Sequence, residues 1–251
     1  MSLSRIDGRS CSELRPISIE RSCNRYAEGS AFIKCGNTEI ICTASIDEKV
    51  PFFMRGKGSG WITAEYSMLP RSTHQRMPRD VNRGKINGRG SEIQRLIGRS
   101  LRAAVDMTKL GERMITIDCD VIQADGGTRT ASITAGFVAL FDSLRWLVNN
   151  ELLSEIPLKT QIAAVSAGKV DGVAMLDLCY EEDFAAEVDA NLIMTLEGDF
   201  VEFQSTGEDG VFSRTELNEI TELGWCGIKQ MHSIQRDVLR LTENEEKLFK
   251  V

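Results

Sequence analysis

An α+β fold, made of two halves of similar rhythm packed as a single domain over residues 1–251, is what this sequence predicts. Strand-like runs are joined by short turn signals, apolar-periodic stretches follow them in each half, and no Pro/Gly/Ser-rich linker divides the chain. With 42% hydrophobic and 27% charged side chains, 251 residues can bury a sizeable core. That composition excludes a disordered tail and a collagen-like rod.

The elements follow in order. Ala31–Cys35 and Thr38–Ile46 read as strands joined at Gly36-Asn37, a two-residue hairpin signal in which glycine supplies a positive φ. Gly60–Leu69 comes next, and then Pro70, Pro78, Asn82-Arg83-Gly84 and Asn87-Gly88 mark a loop. Ser91 is expected to cap a helix whose apolar positions are Ile93, Leu96, Ile97, Leu101 and Ala104. Met114–Val121 reads as a strand and Thr130–Asn149 as a second, more apolar helix. In the second half, Gln161–Lys169 and Val173–Tyr180 flank Asp171-Gly172, while Asn191–Leu196 and Phe200–Gln204 flank Glu197-Gly198-Asp199. Ser213 with Glu216 forms a capping box for a long helix carrying Leu217, Ile220, Leu223, Ile228, Met231, Ile234 and Val238.

The first residues carry no apolar stretch of the secretory kind, and Thr130–Phe141 is too short an uncharged run to cross a bilayer. Seven cysteines, odd in number and without a CxxC pair, predict free thiols in a reducing compartment. Two histidines are too few for a multi-histidine metal centre. A cytoplasmic protein with no membrane partner is expected.

Charge is unevenly placed. The chain holds 30 basic and 37 acidic side chains, a net of −7. Residues 71–102 hold nine of the basic ones (Arg71, Arg76, Arg79, Arg83, Lys85, Arg89, Arg95, Arg99, Arg102) against Asp80 and Glu92, a net of +7. The other 21 basic and 35 acidic side chains leave −14 elsewhere. A basic island with few aromatics suits contact with an RNA phosphate backbone. Its helix positions Arg95, Arg99 and Arg102 could equally pair with the acidic body or with another subunit.

Two further segments bear on chemistry. In Asp118–Ala131 a strand ends, Gly126-Gly127 frees the backbone, and an uncharged helix begins. Such a junction aims N–H groups and a positive dipole end outward, and Thr128 and Arg129 add donors suited to phosphate. The same pattern also describes a plain glycine turn with a surface arginine. In Tyr180–Asn191, Asp183 and Asp189 bracket a short connection, where they could hold magnesium, protonate a leaving oxygen, or form a solvated acidic turn.

Taken together, these segments resemble the ribonuclease PH family of phosphate-dependent 3′-to-5′ exoribonucleases, which are related to polynucleotide phosphorylase and exosome ring subunits. The stretches that carry the resemblance are Arg25–Ser30, Gly60–His74, Glu92–Asp106, Thr116–Ser132, Ala163–Ser166 and Glu182–Asn191, in family order over nearly the whole chain. The resemblance implies a duplicated α+β domain of the ribosomal protein S5 domain 2-like kind, assembled as a homohexamer of three dimers. It implies that Gly127, Thr128, Arg129 and Arg89 bind the attacking inorganic phosphate. It makes Asp183 and Asp189 the acidic pair for Mg²⁺, with Mn²⁺ as the alternative, and Arg129, Asp183 and Asp189 the catalytic set. Arg71, Arg76 and Arg79 match the loop that grips tRNA precursors and other RNA 3′ ends, so RNA and not DNA is the expected partner. The implied reaction is reversible trimming of tRNA precursors with release of nucleoside 5′-diphosphates. A catalytically silent RNA-binding ring subunit and a hydrolytic nuclease are the competing expectations. Two positions depart from the family pattern: Gln204-Ser-Thr-Gly-Glu208 stands where the glycine ordinarily follows the glutamine directly, and Phe184 replaces a small polar residue beside Asp183.

Overall fold

The computed structural model describes residues 5–79, 88–208 and 210–249. β1 (Ile17–Arg21), β2 (Gly29–Cys35), β3 (Thr38–Asp47), β4 (Trp61–Met68) and β5 (Met114–Gln123) form one sheet in the order β1-β2-β3-β5-β4. Inward positions on β3 and β5 are buried in alternation, as a sheet with one packed face requires. Gly36 turns the chain at φ 56° and pairs Cys35 with Thr38, so the predicted hairpin is present. β4 runs parallel to β5, its neighbour at the sheet edge, while the other strand pairs are antiparallel, because α1 (Gly88–Ala104) returns the chain between β4 and β5. β1 has no predicted counterpart: it is a five-residue edge strand with Ser18 and Glu20 exposed.

Helix α1 buries Ile93, Leu96, Ile97, Leu101 and Ala104, the predicted face. It starts one turn earlier than expected, so Ser91 lies inside the helix instead of capping it. Tertiary packing of the apolar stripe on β4, more than local capping, holds the helix, and the Gly88–Gly90 turn continues from that anchored body. The predicted loop markers Asn82-Arg83-Gly84 and Asn87 lie outside the described residues. After α2 (Met107–Leu110), a single turn capped by Asp106, the chain enters β5 and then α3 (Thr128–Asn149).

The α3 helix is long and apolar enough to cross a membrane by length and composition alone. Its surroundings give another reason for that character. It packs on β2 and β3 of the first sheet and on the second sheet, and Ile133, Phe137, Leu140, Phe141 and Leu144 are wholly buried. A helix covered on several sides needs no polar face.

The second sheet is antiparallel throughout: β6 (Ile162–Val170), β7 (Val173–Leu176), β8 (Val188–Thr195) and β9 (Phe200–Gly207), in the order β7-β6-β8-β9. Asp171 and Gly172, both at positive φ, make the predicted β6–β7 turn. The run predicted to continue to Tyr180 stops at Leu176 instead. Asp177 takes a left-handed φ of 54° with its carboxylate bound by Arg15, and α4 (Tyr180–Phe184) follows. The long α5 (Arg214–Leu239) opens on the expected capping box: Glu216 N–H donates to Ser213 Oγ at 3.2 Å, and Ser213 N–H to Glu216 at 2.6 Å. All seven cysteines are free thiols.

A buried polar cluster pins α3 and α5 to β6. Gln235 Nε2 donates to the carbonyls of Thr134 and Ile162, and Gln161 Nε2 to Gln235 Oε1 and the His232 carbonyl. His232 itself is buried, and burial pushes its imidazole from an ordinary 6.5 down to about 4. As pH falls from 6.5 toward 4, the unfolded chain takes up a proton that the folded protein refuses, so stability drops across that window. The loss approaches about 3 kcal/mol at its acid end. His232→Met is expected to flatten this acid limb in urea-unfolding midpoints between pH 7 and pH 4.5. Identical pH slopes in both proteins would contradict the assignment.

Candidate active site

The glycine turn between β5 and α3 is shaped by contacts that sequence spacing does not reveal. Gly126 and Gly127 take φ of 76° and 65°, the left-handed region that glycine enters without strain. A Cβ at Gly126 would stand 2.4 Å from the Leu178 carbonyl oxygen, so this turn is pressed against the chain leading into α4. Asp125 accepts the Tyr180 N–H at 3.1 Å and an Asn37 amide N–H at 3.2 Å. Arg15 donates to the carbonyls of Asp125 and Gly126 while holding Asp177 through Nε and Nη2 at 3.0 and 2.7 Å. Thr38 Oγ1 closes the other side, donating to the Gly126 carbonyl at 2.8 Å.

From this base the phosphate candidates project. Thr128 and Arg129 open α3, two residues before the predicted start, so Thr128 lies in the first turn, where N–H groups have no partner within the helix. Thr128 Oγ1 lies 2.8 Å from the Tyr66 hydroxyl of β4. Arg129 donates to Gln204 Oε1 of β9 at 3.2 Å. A Cβ on Gly127 would lie 3.6 Å from Ser166 Oγ, a buried hydroxyl without a hydrogen-bond partner among the described residues. An orphaned hydroxyl beside backbone donors and a guanidinium is a donor set suited to an oxyanion. Arg89 sits in the first turn of α1, not in a loop ahead of it.

The acidic pair meets these cations. Asp183 is on α4 and Asp189 on β8, where it pairs with Gly168 and Thr206. Burial raises the Asp183 carboxyl, against the pull of Arg89 and Arg129. Burial and the neighbouring charge of Asp183 push Asp189 up to about 6, with Arg129 opposing. Glu208 adds negative charge to both. Arg89, Thr128, Arg129, Asp183 and Asp189 therefore gather from four separate elements into one electrostatic site.

The basic island divides. Arg71 is exposed and donates to the His74 carbonyl at 3.1 Å, on a cleft of about 790 Å³ shared with Asp125 and Glu181. Arg76 and Arg79 are exposed farther along that loop and make no ion pair with a described residue. Arg99 pairs with Glu202 at 2.9 Å, and Arg102 lies 4.3 Å over the Trp61 ring while donating to the Ile62 carbonyl. Two of the helix arginines thus serve the fold.

Sequence reasoning missed Tyr66, Gln204, Ser166 and the N-terminal arginines Arg5 and Arg15. Arg5 grips Glu182 through two bonds of 2.8 and 2.6 Å, and Glu182 accepts the Cys179 N–H at the start of α4. None of these carries a local spacing signal, since each partner lies far away in the chain. The displaced glycine at 207 has a structural cause: a Cβ there would stand 2.4 Å from the Gly210 carbonyl oxygen.

Gly126→Ala is expected to lower stability by about 2 kcal/mol or more, from the left-handed backbone and the clash together. It should also weaken sulfate binding measured by calorimetry. An alanine protein with the parent's urea midpoint and sulfate affinity would contradict this role of the turn.

The family model described as "3′ exoribonuclease family, domain 1" matches residues 13–145, and "domain 2" of that family matches residues 160–225. The chain is similar to a structure of the Archaeoglobus fulgidus exosome with RNA bound to the active site, with a TM-score of 0.78, 21% identity and 92% of each chain covered. It is also similar to rice (Oryza sativa) Rrp46, with a TM-score of 0.76, 21% identity, and 94% of this chain and 100% of that chain covered. At such identity these structures bear on fold alone, which they share over nearly the full length. From the two family matches and the site assembled between them, the chain belongs to the RNase PH family of 3′ exoribonucleases.

Proposed function

We infer that this protein is a phosphate-dependent 3′-to-5′ exoribonuclease that trims the 3′ ends of tRNA precursors. The observation that supports it best is the convergence of two unconnected arginines, Arg89 and Arg129, on the Asp183 carboxylate, with Arg129 acting on Asp189 as well. Inorganic phosphate held by the first turn of α3, Arg129 and Arg89 attacks the last phosphodiester of the RNA. One P–O bond forms to the attacking phosphate, and the bond to the 3′-oxygen of the penultimate nucleotide breaks. The products are a nucleoside 5′-diphosphate and an RNA shortened by one residue. The exchange of one phosphate linkage for another makes the reaction reversible.

Charge collects on the phosphoryl oxygens during transfer, where guanidinium groups fixed by packing stabilise it most. Arg129 is held for that task by Gln204, which in turn donates to Glu202 at 3.0 Å. Two carboxylates fit magnesium, which is held through one or two protein oxygens together with water and substrate phosphate. Asp183 and Asp189 would hold it, or manganese as the alternative, and when bound it would neutralise charge at the departing oxygen. The exposed Arg71, Arg76 and Arg79 suit the RNA backbone upstream of the end being trimmed. A homohexamer in the cytoplasm is the assembly this reading carries.

Two of the similar solved structures are of archaeal exosomes, which brings forward the second reading, a silent RNA-binding subunit of such an assembly. Retention of both arginines and both aspartates in one site favours the active enzyme.

Incubation with Mg²⁺ and RNA, with and without phosphate, separates the readings. Nucleoside diphosphates released only with phosphate are expected. Monophosphates without phosphate would mark a hydrolase, and no product would mark a silent subunit. Arg129→Ala and Asp189→Asn are each expected to lower release by at least about 10²-fold while RNA retention on filters persists. Full turnover by either variant would sink its assigned role.

A further inference from the structure

One feature of the site lies outside the phosphate and acid groups. Tyr180 and Phe184 stand one helical turn apart on α4, and their rings are 6.2 Å apart with a 32° tilt. Phe184 is 83% exposed and Tyr180 48% exposed, although a phenylalanine ordinarily gains by burial. Tyr180 also meets the His74 ring, at 6.2 Å and a 57° tilt. The three rings make a continuous strip. It starts beside Asp183 and ends where Arg71 donates to the His74 carbonyl.

We propose that Phe184, Tyr180 and His74 form a stacking strip for unpaired bases at the 3′ end of a single-stranded RNA. This deepens the phosphorolytic reading of the same site and rests on it for the identity of the strand. Proteins that hold single strands without reading sequence combine aromatic faces for bases with cations for the backbone. Both are present: rings leading away from the acid pair, and the exposed Arg71, Arg76 and Arg79 on the loop that carries His74. Glu181 on α4 lines the neighbouring cleft with Asp125, beside the strip's His74 end. A second copy of this chain would have to bring apolar groups against a strip bounded by a half-buried aspartate and an arginine loop, which suits RNA better.

The helix that carries two of the rings is anchored at its start. The Tyr180 N–H is bound to Asp125, and α4 is tied at its start by Glu182 to the buried Arg5. The bond to Asp125 also ties the strip to the glycine turn at the phosphate site, so end-binding and phosphate-binding share one frame.

The test uses the full-length protein, without phosphate, and a fluorescein-labelled single-stranded RNA 12-mer. A matching series carries one abasic residue at each of the last four positions. Binding is read by anisotropy. Phe184→Ala is expected to weaken the intact RNA by about 5- to 150-fold, the worth of one base–aromatic stack. In the parent, at least one abasic position should carry a comparable penalty, and that penalty should shrink in Phe184→Ala. Phe184→Trp should keep the affinity, with its fluorescence quenched by intact RNA more than by the sensitive abasic RNA. Equal affinity of parent and Phe184→Ala, or an unchanged abasic penalty, would overturn the proposal. So would a change in sedimentation coefficient with RNA affinity intact, which would assign the strip to contact between copies. Because binding is measured without turnover, a protein that stacks RNA but releases no diphosphate would refute the proposed reaction and leave the strip standing.

Discussion

Arg15 is the tie on which the arrangement of the site depends. Its guanidinium is buried, and burial alone would loosen its proton. The Asp177 carboxylate outweighs that effect and holds it firmly charged. From there it reaches the carbonyls of Asp125 and Gly126, so one planar fork spans the end of β7 and the glycine turn ahead of α3. Breaking a buried ion pair by removing one partner typically costs about 3–5 kcal/mol, because the remaining charge is left without water. Here the consequence is also positional. The turn that presents Thr128 and Arg129 and the approach to the helix bearing Asp183 rest on the same side chain. A second pair, Arg5 with Glu182, fixes that helix from the other side.

The basic island reads differently once its partners are known. Arg99 and Arg102 neutralise or cover parts of the same chain, while Arg89 joins Arg129 at Asp183. A line of contacts runs from Arg129 through Gln204 and Glu202 to Arg99, linking the first turn of α3 to α1 along β9 at the edge of the second sheet. Net charge says little about such a surface. What matters is which cations are already engaged and which face solvent beside an acidic cleft.

Much of the fold was legible in the chain itself. Gly36-Asn37, Asp171-Gly172 and the Ser213–Glu216 capping box all work through neighbours a few residues away, and all three are present. The apolar stripe of α1 and the charged pair Asp183 and Asp189 were visible for the same reason. The errors were at boundaries that distant contacts decide. Ser91 lost its capping role because α1 is anchored by packing on β4, and the run beyond Leu176 ended because Arg15 binds Asp177. Phe184 was visible as a departure from the family pattern, but its face could be assigned only once Tyr180 and His74 were placed against it.

The sequence by itself determined the local devices and the chemistry available: turn residues, helix faces, two carboxylates, a glycine turn and an excess of arginine in one segment. Those depend on short-range sterics and on side-chain type, which a linear chain displays. Only the tertiary structure decided which groups share a site, which arginines are engaged, and which aromatic rings remain exposed. Burial and charge interactions fall off over a few ångströms in space, and residues 15, 89, 129, 183 and 189 come within that range only after both sheets have closed on α3.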